Sequence, residues 1–450
     1  MAVDVSVARA MGEPITDIRV IGNSRTTEDT IRSLAGIRIG ETLDVDTLET
    51  VRERLNTAGL FSDVNVWWEG HGEGVRVNIV VKDKFPWAPV PTGSWSSNNK
   101  AIGLIFVHGN LFGRGKQMVV GGRISSLDSG AILAYRDPSL FGTWMFWEMR
   151  ALAQREIIPE YDVNSLVPVS PWRESTFDSY GFEPVFGIAW FRRVRTQVSW
   201  RIQSVKPVDD KQRVLDPNTG DPFSVGIDSG VPRTSRGGTM GLGRAALSFD
   251  WRAREAAIMT GSALSGSLDL GSSAFKSDFE FWRASVWWEH GTRVFRRHNF
   301  VYSIGGILGK NTPIWWDTKA GGEGLRGYLG QQFRGDTQVG GHVEYHFPLF
   351  SIGSLDFRAL GFYDVATIWS RNLPTDASTN PGYLTRSGFD QRTFDPNYVV
   401  QGLDLKRDTH NSVGGGLRFF LRSVAVPLVG FDAGYGIEAG HWRFLLIVGA

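Results

Sequence analysis

The chain has 450 residues, of which 54 are Gly and 17 are Trp, with 21% charged side chains and a formal net charge of +1. Near neutrality argues against a nucleic-acid partner, whose footprint is a basic excess. Cys is absent, so neither disulfides nor thiolate metal ligands hold the fold. No apolar run reaches the roughly 18–20 residues of a helical membrane span, whereas a spanning strand needs only about 9–11 alternating residues. The segment Met1-Ala-Val-Asp-Val5 carries no basic stretch followed by an apolar core, so no signal peptide is visible. The chain reads as mature sequence behind an added or retained Met.

After an N-terminal extension (1–14), residues 15–83 read as a small α+β domain. A short strand, Ile15 to Ile21, closes at Gly22-Asn23, and Thr26-Thr27-Glu28-Asp29 opens a helix reaching about Leu34. Val45, Leu48, Val51 and Leu55 recur at helical spacing, which predicts a second helix from Val45 to Thr57. Phe61–Trp68 and Val75–Lys82 are two strands about a Gly-rich turn, giving the order β-α-α-β-β. Within this region, Ile18-Arg-Val-Ile-Gly-Asn23 and Leu55-Asn-Thr-Ala-Gly-Leu-Phe-Ser-Asp-Val64 resemble the POTRA domain of outer-membrane assembly proteins.

From about Pro86 the periodicity changes to two. Gln197, Ser199, Arg201 and Gln203 oppose Val198, Trp200 and Ile202. Ser265, Ser267 and Asp269 oppose Leu264, Leu268 and Leu270. Val429, Phe431, Ala433, Tyr435 and Ile437 oppose Gly430, Asp432, Gly434, Gly436 and Glu438. One such strand also fits a soluble antiparallel sheet. Many in succession, ending in Trp and Tyr, fit strands with a lipid face and a lumen face. Sixteen can be counted in 84–450. Long connections (about 157–178, 206–237, 310–335 and 371–410) fall only at odd positions, and every even connection is short, which is the known asymmetry of membrane barrels. The fold expected is mainly β: a 16-stranded antiparallel transmembrane β-barrel preceded by one small α+β domain.

The most informative stretch is Leu325-Arg326-Gly327-Tyr328, in a Gly-rich loop between strand-like segments. After it, Val339, Gly341, Val343, Tyr345 and Phe347 share one face, and Gln338, Gly340, His342, Glu344 and His346 the other. A loop with an internal Arg beside a strand that is apolar outside and polar inside fits a loop folded back into a wet lumen. Alternation also places Phe362, Asp364 and Ala366 with Asp356 and Arg358 on a charged, inward face, together with Glu344 and Arg418 of other strands. Arg326 thus has two acidic partners available, Glu344 and Asp364. A charge-assisted bond in a narrow lumen is stronger than a surface pair.

Taken in order, Asn110-Leu-Phe-Gly-Arg-Gly115, Asp137-Pro-Ser-Leu-Phe-Gly142, Leu325-Arg-Gly-Tyr328, Phe362-Tyr-Asp364-Val-Ala366 and Gly414-Gly-Gly416-Leu-Arg418 resemble motifs of the BamA/TamA superfamily of outer-membrane assembly and translocation barrels. Ala366 stands where that family prefers Gly, and the C-terminal Arg443-Phe-Leu-Leu-Ile-Val-Gly-Ala450 lacks its terminal aromatic. The resemblance implies a Gram-negative outer membrane, with the POTRA domain in the periplasm. It implies unfolded client proteins docking at the POTRA edge, accessory assembly proteins as further partners, and insertion of client barrels through a seam between the first and last strands. On that reading the seam runs along Val90, Pro91, Gly93 and Ser97 on one side and Trp442, Phe444, Leu446 and Ala450 on the other, weakened because Pro cannot donate to the ladder. A two-partner secretion pore and a structural anchor remain open as alternatives.

Other motifs carry less. Gly322-Glu-Gly324-Leu-Arg-Gly327 fits G-x-G-x-x-G, but no βαβ unit surrounds it. His342 and His346 lie about 13 Å apart along a strand, too far for one metal. No G-x-S-x-G occurs, and neither enzymatic catalysis, a metal nor a cofactor is expected. The Arg-rich short turns (Arg114, Lys116, Arg192, Arg193, Arg195, Arg252, Arg254, Arg293, Arg296, Arg297) read equally as solvated turns or as contacts to anionic headgroups of outer-membrane lipids.

Overall fold

Two periodicities divide the chain at Asp83, and a different architecture follows from each. The computed structural model describes residues 12–44, 46–140, 143–161, 166–167, 171, 173–191, 193–215, 222–225, 237–255, 257–369, 408–421 and 427–449.

The small domain runs β1 (Ile15–Ile21), α1 (Glu28–Ala35), α2 (Thr47–Thr57), β2 (Phe61–His71) and β3 (Gly74–Asp83). The helix expected from Val45 begins at Thr47, and Val45 itself lies outside the described residues. β3 is central, parallel to β1 and antiparallel to β2. Ile31 and Ala35 of α1 and Val51 and Leu55 of α2 are fully buried against Val75, Val77 and Ile79 of β3. Burying each of the Ile, Val and Leu side chains among them stabilises by about 1.5–3 kcal/mol. The Thr27 hydroxyl caps α1 by accepting from the Thr30 amide, and Gly36 closes it at φ 65°, a left-handed conformation that suits Gly. Arg54 of α2 then donates to the Ala35 and Gly36 carbonyls at 3.0 Å, tying the two helices together.

The domain belongs to a compact unit that also includes 106–120 and 133–148. Within this unit Asp83 accepts from the amides of Ser24, Arg25 and Thr26 and from the Thr26 hydroxyl. The same hydroxyl accepts from Asn110 Nδ2 at 2.8 Å, and the Thr27 amide donates to the Gly113 carbonyl at 2.9 Å. Asn110 Oδ1 in turn accepts from the Gly115 amide, so the Asn110–Gly115 turn is shaped by its first residue.

Sixteen long strands form one closed antiparallel barrel. In order they are Trp87–Trp95, Lys100–Leu111, Lys116–Ser125, Asp128–Asp137, Met145–Glu160, Arg173–Phe191, Val194–Leu215, Gly238–Asp250, Ile258–Gly271, Phe281–Val294, His298–Lys310, Thr337–Ile352, Leu355–Trp369, Asp408–Leu421, Pro427–Gly436 and His441–Val448. Two short segments, Pro222–Val225 and Ala253–Glu255, extend the same sheet. The even connections are short, such as 112–115, 295–297 and 353–354, and the long ones (161–172, 216–237, 311–336, 370–407) are odd. Two connections are shorter than the sequence suggests, because 157–160, 173–178 and 206–215 are strand. Most of the fourth expected loop, 371–410, lies outside the described residues.

The alternation is two-faced throughout. Leu264, Leu268 and Leu270 face out and are exposed, whereas Asp269 between them is buried and takes a two-bond grip from Arg244. Likewise Val413, Leu417 and Phe431 are exposed, while Arg418 and Asp432 are buried. Apolar residues outside and paired charges inside are what a strand between lipid and a lumen requires.

Candidate functional site: the loop 311–336 and the lumen wall

The loop enters the lumen in two parts. Ile314 and Trp315 pack in an apolar cluster with Phe177, Val205, Met240, Leu242 and Phe279. Trp316 beside them lies against three guanidinium groups, those of Arg201, Arg244 and Arg283, at 5.3–6.0 Å from its ring centroid. Arg201 and Arg244 are held by Glu183 and Asp269, and Arg283 donates to the Trp316 carbonyl at 3.2 Å. Nothing in the linear sequence set these three arginines beside one indole.

The second part is a small hairpin. Thr318–Ala320 pairs with Phe333–Gly335, and Gly321 and Gly322 bend the chain at φ 119° and 64°. The tip is closed by the Leu325 amide on the Gly322 carbonyl and the Tyr328 amide on the Leu325 carbonyl. Leu325 and Tyr328 point back into a buried cluster with Ala320, Phe333, Ala366 and Ile368, which leaves Arg326 projecting the other way. Ala366, where a Gly was the expectation, is part of the surface that receives Leu325.

Arg326 is 6% exposed and meets four groups. Its backbone amide and Nε donate to Asp364 Oδ2 at 3.1 and 3.0 Å, and Nη2 donates to Asp364 Oδ1 at 2.6 Å. Nη1 donates to Glu344 Oε1 at 2.6 Å and to Asp432 Oδ2 at 3.4 Å. The guanidinium carbon stands 3.4 Å from the Phe362 ring centroid, a desolvated cation–π contact of about 2 kcal/mol. Arg418, four strand residues from Gly414, grips Asp432 from the other side at 2.5 and 2.8 Å. The Ser412 hydroxyl donates to Asp364, and the His346 ring bonds Glu344 Oε2 at 2.7 Å. Each carboxylate thus has more than one partner, which is the condition under which buried charge is tolerated.

The loop can come this close because the fourteenth and fifteenth strands have no side chains there. A Cβ on Gly434 would lie 2.6 Å from the Arg326 carbonyl, and one on Gly327 would lie 2.4 Å from the Gly436 nitrogen. A Cβ on Gly414 would meet the Phe362 ring at 2.5 Å, and one on Gly416 the Asp432 carboxylate at 2.0 Å. Gly327, Gly414 and Gly416 belong to motifs named in the sequence, whereas Asp432, Gly434 and Gly436 were not singled out there. These three lie on inward positions that the alternation had marked, so the signal was present.

Beyond the tip, Tyr328 donates its hydroxyl to Glu438, which also accepts from the Asn411 amide. Gly330 is held by Asn98, whose side chain donates to its carbonyl at 2.9 Å and accepts from its amide at 3.0 Å. His342 and His346 each have a separate partner, Ser303 and Glu344.

The seam is narrower than expected. Among the described residues, pairing between the first and sixteenth strands is confined to Gly93, Ser94 and Trp95 opposite Val448, Ile447 and Leu446. Between the fifteenth and sixteenth it covers eight pairs, from Val429↔Val448 to Gly436↔His441. Val90 and Pro91 are in the first strand but outside the seam register, and Ser97 lies in the connection after it. Trp442 and Phe444 pair only with Tyr435 and Ala433, and Ala450 lies outside the described residues. Each end has its own cause. Beyond Gly93↔Val448, Pro91 offers no amide and Gly449 takes a φ of 68° with its Cα against the Pro91 carbonyl. Beyond Trp95↔Leu446 the first strand stops and turns, the Ser96 amide donating to the Asn99 carbonyl at 2.7 Å.

Several basic turn residues are engaged within the protein. Lys116 pairs with Asp137, Arg252 with Asp250 and Glu289, and Arg293 with Glu255. The described geometry therefore leaves fewer of them for lipid headgroups than their number suggested; nothing is described for Arg192 or for the Arg254 side chain.

A closed sixteen-stranded barrel, a single preceding β-α-α-β-β domain and a long loop folded into the lumen through an Arg define the class of outer-membrane barrels that carry POTRA domains. Residues 110–427 match the Omp85 superfamily domain and residues 14–84 match the POTRA family described as a surface antigen variable number repeat. The chain belongs to the Omp85 superfamily and resides in the outer membrane, with its POTRA domain in the periplasm. Among solved structures it is similar to BamA from Haemophilus ducreyi lacking POTRA domains 1–3, at 15% identity and TM-score 0.64, covering 97% of this chain and 84% of that one. It is also similar to CdiB from Acinetobacter baumannii (12% identity, TM-score 0.58, 98% and 74% covered) and CdiB from Escherichia coli (12%, 0.55, 100% and 92%). These likenesses are of fold. No curated protein sequence matches the chain.

Proposed function

We propose that this protein inserts client β-barrel proteins into the outer membrane, with clients docking at the POTRA sheet edge and entering at the seam between the first and sixteenth strands. The observation that carries this reading is the seam itself, three residue pairs long beside a neighbour of eight. A short seam costs little to separate, and separation exposes two strand edges inside the bilayer. An incoming strand that pairs with either edge has its backbone groups satisfied where no water can satisfy them. On the periplasmic side β2 (Phe61–His71) is an outer strand of the order β1-β3-β2, and an extended client segment can add to it through main-chain bonds that read little sequence. The Leu325–Tyr328 tip, locked through Arg326 to Glu344 and Asp364 and resting near Arg418, keeps the lumen closed while the seam works.

The test uses the Cys-free background. Trp95→Cys and Leu446→Cys, at paired positions, are joined by oxidation, and insertion of an unfolded barrel client into liposomes is followed. Stimulated insertion that oxidation abolishes and reductant restores is the expected result. Insertion unaffected by the link overturns the seam reading. No stimulation in either state leaves a secretion pore or a structural anchor, which ion conductance after loss of the loop lock separates.

A further inference from the structure

The loop 311–336 touches both sides of the seam within three residues. Tyr328 donates to Glu438, in the 437–440 connection between the fifteenth and sixteenth strands. Two residues later Gly330 is held by Asn98, in the 96–99 connection between the first and second strands. The seam lies between those two connections and is itself only three pairs long. We propose that the loop is a strap over the external end of the seam, and that Asn98 is the residue that releases it.

The two attachments differ in kind. On the side of the later strands the loop is fixed by the buried Arg326 cluster, whose charge-assisted bonds to Asp364 and Glu344 are strong and costly to break. Its backbone also lies on Gly434 and Gly436, so it has no room to slide. Toward the first strand the attachment is a pair of neutral amide bonds from Asn98 to the Gly330 backbone, with Asn98 Nδ2 also 3.0 Å from the Tyr161 hydroxyl. Neutral bonds of this kind are individually weak in net terms and exchange readily with water. When the strap lets go, it therefore lets go of the first hairpin and stays with the later strands, and with the fifth strand and the connection after it through Lys319–Glu156 and the Gln332 side-chain amide on the Leu166 carbonyl. Because Asn98 reads only backbone atoms at Gly330, release needs no rearrangement of the motif that precedes it. The inference concerns how the seam is held and does not depend on which clients the barrel handles.

The test is a distance measurement across the external end of the seam. Spin labels at Ser97 and His441, both exposed and on opposite sides, are measured by pulsed electron resonance in liposomes. The unaltered protein is expected to give one narrow distance. Asn98→Ala, which removes all three bonds, is expected to add a longer distance, and Asn98→Asp, which keeps only the acceptor for the Gly330 amide, to give a smaller fraction of it. Protection of the loop from external protease should be unchanged in both, since the Arg326 cluster stays in place. Should Asn98→Ala fail to fold, as read by its heat-dependent gel shift, Asn98→Asp carries the test alone. A single narrow distance in the folded variant overturns the proposal. So does a longer distance accompanied by protease cleavage of the loop, because the whole loop would then have come away and Asn98 would not be its releasing end.

Discussion

Arg326 gives Asp364 three hydrogen bonds, one from its backbone amide and two from its guanidinium, so the carboxylate fixes both the path of the loop and the direction of the side chain. A long cation attached only through its guanidinium could swing about its stem. One attached at both ends cannot. With Phe362 under the guanidinium plane and Glu344 and Asp432 at its edge, the loop tip has one position relative to the wall.

Removing one member of this cluster leaves its neighbours buried with fewer hydrogen-bond partners, Arg326 with only Glu344 and Asp432, or Asp364 with only the Ser412 hydroxyl and the backbone amide at position 326. Asp364→Ala and Arg326→Ala should each destabilise the folded barrel by about 3–5 kcal/mol, the range for breaking a buried pair. The double variant should cost clearly less than the two added together, because neither charge is then stranded. Denaturant unfolding of the reconstituted protein measures all three. Strict additivity would mean that the two side chains do not act on each other.

The glycine floor makes a sharper contrast. Gly327→Ala places a methyl 2.4 Å from the Gly436 nitrogen, so the tip must lift or the strand must bend, an overpacking cost of about 1–3 kcal/mol. Gly324→Ala, three residues away on the same loop, meets nothing within 4 Å. External protease should therefore cut the loop faster in the first variant and at the unaltered rate in the second. Equal rates would show that close backbone approach does not hold the tip.

In the periplasmic domain the relevant charge is Asp83. Burial raises its pKa, but the Thr26 hydroxyl and the amides of Arg25, Ser24 and Thr26 outweigh burial and hold it below the usual carboxylate range. A carboxylate depressed on folding adds stability above its unfolded pKa of about 3.9, and loses it as pH falls through the lower folded value. Hydrogen exchange of the Ser24–Thr26 amides in the full chain, corrected for intrinsic rates, should accelerate below about pH 4. Asp83→Asn should show faster exchange already at neutral pH and little further change in that window. A flat profile in the unaltered protein would count against the carboxylate.

How much of this could be read from the chain differs by element, and for a physical reason. Alternation marked Asp364, Glu344, Arg418 and Asp432 as inward, and so offered Glu344 and Asp364 to Arg326, because a strand's side-chain period is fixed by its backbone. The helix that carries Leu48, Val51 and Leu55 was legible for the same reason at period 3.6, and the parity of long and short connections was legible from where the alternation breaks. What lay beyond the sequence were the contacts between distant segments that no shared inward face singled out. Asp432 is 106 positions from Arg326, and Asn98 is 232 from Gly330. Periodicity says which way a residue points, not what stands opposite.

The seam shows the same division. Pro91 and the closing strand were visible, and a weakness there followed from the missing amide. That only Gly93–Trp95 pairs with Leu446–Val448 was not, because register is set by how the whole barrel closes and by the turn at Gly449. Local chemistry thus determined the face of each strand and the character of each loop. Tertiary structure alone decided that Asp432 joins Glu344 and Asp364 around Arg326, which glycines make room for it, and how few residues close the wall.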